Sequence, residues 1–115
     1  MIVKSDKRER TLRPQLKGGE GVVNILDLTT KETLPKNLRL CGEFILKPGE
    51  SIGSHPHIGE TEIYFVISGE GSVLDKGEFV KIYPGDTAIT DGEQPHSIKN
   101  DGFEDFKFVA IIVLD

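Results

Sequence analysis

The chain contains three histidines, and two of them, His55 and His57, stand one residue apart, with Glu62 five positions after the second and a run of β-forming residues following it to Gly69. In extended backbone, side chains two apart point to the same face, so His55 and His57 face together and Glu62, Tyr64 and Val66 form a second such row. Ile63, Phe65 and Ile67 then cover the opposite face, and the strand expected over 62–68 is apolar on both sides apart from Glu62. A carboxylate heading such a strand needs a partner, because burying an unpaired charge is costly. Two imidazoles and a carboxylate that converge create a place for a metal ion, which would supply that partner. His96 follows Pro95 and opens the segment HSIKN, a position suited to the start of a strand on the facing part of a barrel.

Two neighbours of these residues are candidates for catalysis. Glu60 would share the face of Glu62 if the strand extended back to it, and a second carboxylate near a metal could shuttle protons; Gly59 before it favours a loop and an exposed acid. Tyr64 either packs as an amphipathic core residue or lines the cavity beneath the metal and hydrogen-bonds a substrate through its phenol. Phe44 shares a face with Leu40 and Leu46 as core or cavity wall, and Cys41 reads as a small buried hydrophobe. Gly49, Gly69 and Gly85 read as turn residues in backbone conformations closed to other side chains. Asn100 reads as a local side-chain-to-backbone contact at a strand end.

The elements that must position these groups follow from composition and punctuation. A length of 115 residues suits one domain with one core. With 13 Gly and 6 Pro, few segments are long enough for a helix of a dozen residues, which favours an all-β chain. Turn signals at GGEG, LPKN, KPGE, SGEG, DKGE, YPGD, DGEQP and NDG recur at the rhythm of a sandwich or barrel. They leave expected strands near 22–28, 38–46, 51–54, 62–68, 71–74, 77–82, 86–90, 95–100 and 105–114. Residues 1–17 carry six Lys/Arg against two acids, whereas 18–115 carry eight against seventeen. The expected organisation is therefore a basic, solvated N-terminal arm over 1–17 and a single barrel domain over 18–115. An acidic domain disfavours nucleic acid, since phosphate binding wants a basic face. The longest apolar run, FVAIIVL at 108–114, is far short of a membrane helix. A single cysteine, Cys41, forms no internal disulfide, and a cytoplasmic location is expected.

At the histidines the chain resembles a single-domain cupin. The first motif of that family, G-x5-H-x-H-x4-E-x6-G, is met at every position by Gly49, His55, His57, Glu62 and Gly69. The second, G-x5-P-x-G-x2-H-x3-N, is met at Gly85, His96 and Asn100, while Asp91 and Glu93 replace its inner Pro and Gly. The intervening segment 70–84 is of the short kind found in compact microbial cupins. The resemblance implies an all-β jelly-roll barrel (double-stranded β-helix) holding one metal through His55, His57, Glu62 and His96. Three imidazoles and one carboxylate suit a divalent transition ion such as Mn, Fe, Co, Ni or Zn; Ca and Mg prefer oxygens, and structural zinc usually takes thiolates. Four protein ligands leave open positions on an octahedral ion, and a formal site charge of about +1 favours a small anionic guest.

The GGEG segment lacks the Gly-Lys-Ser/Thr ending of a phosphate loop and the helix after it, no Gly-x-Ser-x-Gly elbow is present, and a metal would claim every histidine a triad needs. The ligand set resembles that of oxalate decarboxylases, germin-like oxidases and quercetinase-type dioxygenases, which implies a metal-dependent enzyme acting on a small carboxylate. The alternatives are a sugar isomerase or epimerase and a non-catalytic protein that binds or senses a small molecule or metal. No interior strand shows an obvious Lys or Arg on the metal's face, which counts against a sugar phosphate, and no clear second acid is apparent for proton handling. Finally, the segment VVNILDL at 22–28 could pair with or exchange into a neighbouring copy, so a homodimer is expected.

Overall fold

The structure, a computed structural model, describes residues 1–92 and 94–115. Ten strands are present: β1 (Arg10–Pro14), β2 (Val22–Asp27), β3 (Leu38–Leu46), β4 (Ser51–His55), β5 (Glu60–Ser68), β6 (Gly71–Asp75), β7 (Glu78–Ile82), β8 (Thr87–Asp91), β9 (His96–Lys99) and β10 (Phe106–Leu114). They form two antiparallel sheets, one in the order β1-β2-β3-β10-β5-β8 and one in the order β4-β9-β6-β7. This is the all-β jelly roll expected from the turn rhythm. Among the described residues no helix is long and apolar enough to cross a membrane.

The strands alternate as a half-buried sheet requires. Along β10, Phe106, Phe108, Ala110 and Ile112 are buried while Lys107, Val109, Ile111 and Val113 lie between them on the outer side. The inward rows of both sheets meet in one core, in which Phe108 stacks on Phe44 at 5.5 Å and meets Phe106 and Tyr64 at about 5 Å. On β5 the inward row is Glu62, Tyr64 and Val66, and the opposite row leaves Phe65 and Ile67 about half exposed. Gly69 closes the turn after β5 with φ +77°, and a Cβ there would stand 2.2 Å from the Asp105 carbonyl oxygen, so both backbone sign and space demand glycine. Asn100 is buried and donates to the carbonyls of Leu46 (2.8 Å) and Glu104 (2.7 Å) while accepting from Gly102 N–H. It ties three loops together, beyond the local contact expected of it.

The first strand was not visible in the sequence pattern. Residues 10–14, within the segment read as a solvated arm, pair with β2 from Arg10↔Leu26 to Pro14↔Val22 although all five side chains are exposed. The stretch RTLRP has no apolar row to signal a strand, and its stabilisation comes from backbone pairing. Arg8 adds to it by donating to the Leu26 and Asp27 carbonyls and to Glu43. As a result β2, the strand expected to serve a neighbouring copy, is paired on both edges within its own chain.

Two one-residue insertions in the ladders matter for the site. On β4 the register runs Ile52↔Ile98 and then His55↔His96, which places an extra residue in β4 between them. On β3 the partners of Ile112 and Val113 are Leu40 and Leu38, which skips Arg39. Such bulges re-aim the side chains that follow.

Candidate metal centre

With Ile52 buried in the core, strict alternation along β4 would send His55 to the outer side, three positions on. The bulge at Gly53–Ser54 reverses that phase and turns His55 inward opposite His96. His57 lies past the end of β4, beyond Pro56, where the turn into β5 carries it back over the barrel. Glu62 comes from β5 and His96 from the first position of β9. One ligand atom from each of the four lies within 4.8 Å of every other. His57, Glu62 and His96 are buried and His55 is partly so.

The rings are oriented by what their outer nitrogens touch. His55 Nδ1 donates to the Gly53 carbonyl at 2.7 Å, and His57 Nδ1 donates to the Glu60 carboxylate at 3.1 Å. Because carbonyl and carboxylate oxygens only accept, both neutral rings carry their lone pair on Nε2. Those two Nε2 atoms face each other at 3.1 Å, and His96 Nε2 lies 3.2 Å from His55 Nε2. Glu62 Oε1 completes the group, 2.8 Å from His57 Nε2 and 3.0 Å from His96 Nε2. The His55 and His57 lone pairs meet with no proton between them, beside the Glu62 oxygen and His96 Nε2, and a cation at their centre satisfies the group together. The residues therefore fit a divalent metal, and the donor set could hold one ion of the borderline transition series.

The electrostatics agree with that fit. Burial depresses the His55 pKa, against the pull of the Gly53 hydrogen bond, and so favours the neutral ligand form. Burial pushes the Glu62 carboxyl up, but the neighbouring His96 first and His57 second outweigh it and keep the net direction downward, toward the carboxylate. Tyr64 is fully buried, its ring stacked on His96 at 5.6 Å and 8°. Burial first, and the Glu62 carboxylate second, push its phenol well above the usual value. His96 Nδ1 is buried without a hydrogen-bond partner among the described residues.

The catalytic candidates and their surroundings differ from expectation in three respects. Glu60 is not a loop acid: it begins β5, and its carboxylate is gripped by Arg39 as well as by His57 Nδ1. It is the second carboxylate that the sequence offered as a candidate, and its contact with His57 Nδ1 is one that can orient that ring. Basic groups are also present. A cavity of about 160 Å³ reaching His55, His57, Glu62 and Tyr64 is lined at its mouth by Arg13, Lys17 and Arg39, which corrects the expectation of no Lys or Arg on that face. Arg39 was hidden because the β3 bulge breaks the alternation of LRLCGEF, and Arg13 and Lys17 because they belong to the supposed arm. A larger hollow of about 620 Å³ between the β6–β7 turn and the end of β8 contains none of the histidines. Of the two departures in the second motif, Asp91 ends β8 and Glu93 lies outside the described residues; His96 nevertheless reaches the cluster.

Cys41 is a free, partly buried thiol on β3 and is not among the clustered ligands.

Comparison with known proteins agrees with this architecture. The chain is 40% identical over 114 residues to a Thermotoga maritima protein named oxalate-binding protein, covering 99% of this chain and 94% of that one. A crystal structure of a Thermotoga maritima protein described as a predicted oxalate decarboxylase superposes with a TM-score of 0.93 at 39% identity, covering both chains completely. The cupin domain of an XRE family transcriptional regulator from Enterobacter cloacae has a TM-score of 0.69 at 28% identity, covering 81% of this chain and 97% of that one. The family description "Cupin domain" matches residues 42–112, the span from β3 to β10 that contains all four clustered side chains. The chain belongs to the cupin family.

Proposed function

We propose that the protein binds a divalent transition metal through His55, His57, Glu62 and His96 and uses it to take up a small carboxylate of the oxalate class. The observation that carries this reading is the set of inward Nε2 lone pairs around Glu62, at the inner end of a cavity whose mouth is cationic. The name of the Thermotoga maritima relative supports the ligand class. When bound, the ion supplies open coordination positions and polarises a carboxylate placed there. Glu60 holds the His57 tautomer, Tyr64 floors the cavity and packs His96 in place, and Phe44 and Ile52 keep the inner wall apolar.

Reversible binding is favoured over turnover by the state of the two candidate catalytic groups. Both oxygens of Glu60 are committed to Arg39 and His57, and the Tyr64 phenol is fully buried, with burial and the Glu62 carboxylate pushing its pKa up. Decarboxylation or dioxygenation is the second reading, supported by the likeness to the protein described as a predicted oxalate decarboxylase. Sugar isomerisation regains some ground from the cations at the mouth. The test is calorimetric titration of oxalate into metal-stripped protein and into protein loaded in turn with Mn²⁺, Fe²⁺, Co²⁺, Ni²⁺ or Zn²⁺, with CO₂ release and O₂ uptake followed in parallel. Saturable, metal-dependent binding without turnover is expected. Oxalate binding that ignores the metal would overturn the reading, and sustained CO₂ release would replace binding by catalysis.

The expected assembly remains a homodimer, supported by the outward Phe65, Ile67 and Ile89 of neighbouring strands β5 and β8; light scattering at the monomer mass would refute it. A cytoplasmic location is in keeping with the free Cys41 thiol.

A further inference from the structure

We infer that the N-terminal segment from Arg13 to Gly19 is the specificity wall of the cavity, where Arg13 and Lys17 receive the second negative charge of a dicarboxylate. The inference rests on the proposed uptake of a carboxylate at the metal centre and adds which carboxylates are selected and by which residues.

The segment is built to hold its place. Gln15 (φ 47°) and Lys17 (φ 55°) are both in the left-handed region, which side-chain-bearing residues adopt only where the surroundings enforce it. The enforcement comes from β4. A Cβ on Gly53 would stand 1.9 Å from the Lys17 carbonyl oxygen, and one on Gly19 would stand 2.2 Å from the Ser51 carbonyl oxygen. The two backbones therefore touch at two glycines, and Glu20 N–H donates to Ser51 Oγ while Ser51 N–H donates to Glu20 O. Gly53, on which Lys17 rests, is also the residue whose carbonyl orients His55. The wall and the histidine cluster thus share one support.

Charge then distinguishes the cations. Arg39 is neutralised by Glu60, whereas among the described residues neither Arg13 nor Lys17 has an ion-pair partner, and both line the cavity that reaches His55 and Glu62. A monocarboxylate on the metal has no second charge to offer them. A dicarboxylate does, and charge-assisted hydrogen bonds to it add to affinity.

The experiment titrates oxalate, malonate and acetate into Mn²⁺-loaded wild type, Arg13→Gln, Lys17→Gln and the double variant, and titrates Mn²⁺ into each metal-stripped protein. Each single variant should weaken oxalate and malonate roughly tenfold, with acetate and Mn²⁺ affinities within threefold of wild type and Lys17→Arg restoring most of the loss. Equal weakening of acetate and oxalate, or oxalate affinity unchanged in the double variant, would overturn the inference while leaving the carboxylate-binding reading intact. Failure of wild type to bind oxalate with Mn²⁺ present would remove both. Thermal melts confirm that each variant folds, and because the side chains are exposed the melting points should match wild type.

Discussion

Glu60→Ala tests the centre at the point where its orientation is set. The substitution removes the acceptor of His57 Nδ1 (3.1 Å) and the partner of Arg39 in one step. Freed of its acceptor, His57 can place its proton on Nε2, and the inward lone pair needed by a metal is lost in that tautomer. A hydrogen bond to a charged group contributes about 1.5–3 kcal/mol. The Glu60 side chain is 15% exposed, so water replaces part of it, but the uncompensated Arg39 charge acts in the same unfavourable direction on a nearby cation. The two together amount to a loss of metal affinity of about 10–100-fold, or about 1.4–2.8 kcal/mol. Glu60→Gln keeps an acceptor for Nδ1 and should lose less than Glu60→Ala. Isothermal titration of Mn²⁺ or Co²⁺ into metal-stripped proteins measures both, with circular dichroism as the control for folding. Metal affinity of Glu60→Ala within twofold of wild type would refute the reasoning.

Three further outcomes are expected. Phe108→Ala, at a fully buried position in contact with Phe44, Tyr64 and Phe106, should cost about 3–5 kcal/mol in urea unfolding, and a loss below about 1 kcal/mol would contradict the packing described. Saturating metal at a hundredfold excess over its Kd should add about 2.7 kcal/mol of stability and raise Tm by roughly 10 °C, reversed by EDTA; an unchanged Tm would count against metal binding by the folded state. Burial first, with the Asp27 charge second, pushes the Cys41 thiol pKa up. Less thiolate is then present at pH 8 than in an ordinary cysteine, and alkylation by iodoacetamide should run slower than for glutathione; a matching rate would show the thiol to be free of that environment.

The sequence carried the cluster because its geometry is tied to types and spacings that can be read: three histidines, one glutamate and the glycines that turn the chain between them. It carried nine of the ten strands because each has either an inward apolar row or a turn signal at both ends. β1 escaped because its side chains are all exposed and its stability lies in backbone pairing, which leaves no trace in hydropathy. Arg39 escaped for a different reason: alternation is a counting rule, and the bulge that skips this residue resets the count. The same limit applies to His55 and His57. They do converge, but His57 stands in the turn after β4, so the two-residue rule reached the right pairing through a strand that ends two residues too early to justify it. The roles proposed for Lys17 and Glu60 depend on contacts between segments distant in sequence, at Gly53 and at Arg39, and such contacts follow only once the sheet order is known.

The supernumerary residue in β4 also says how this molecule can change over generations. Loss of a single codon at Ser54 would remove the bulge yet leave the first imidazole two positions after Ile52, on the same inward face and still opposite His96. A descendant could thus straighten the strand and keep both the cluster and its shell in one genetic event, whereas straightening it at the present length would turn that imidazole outward.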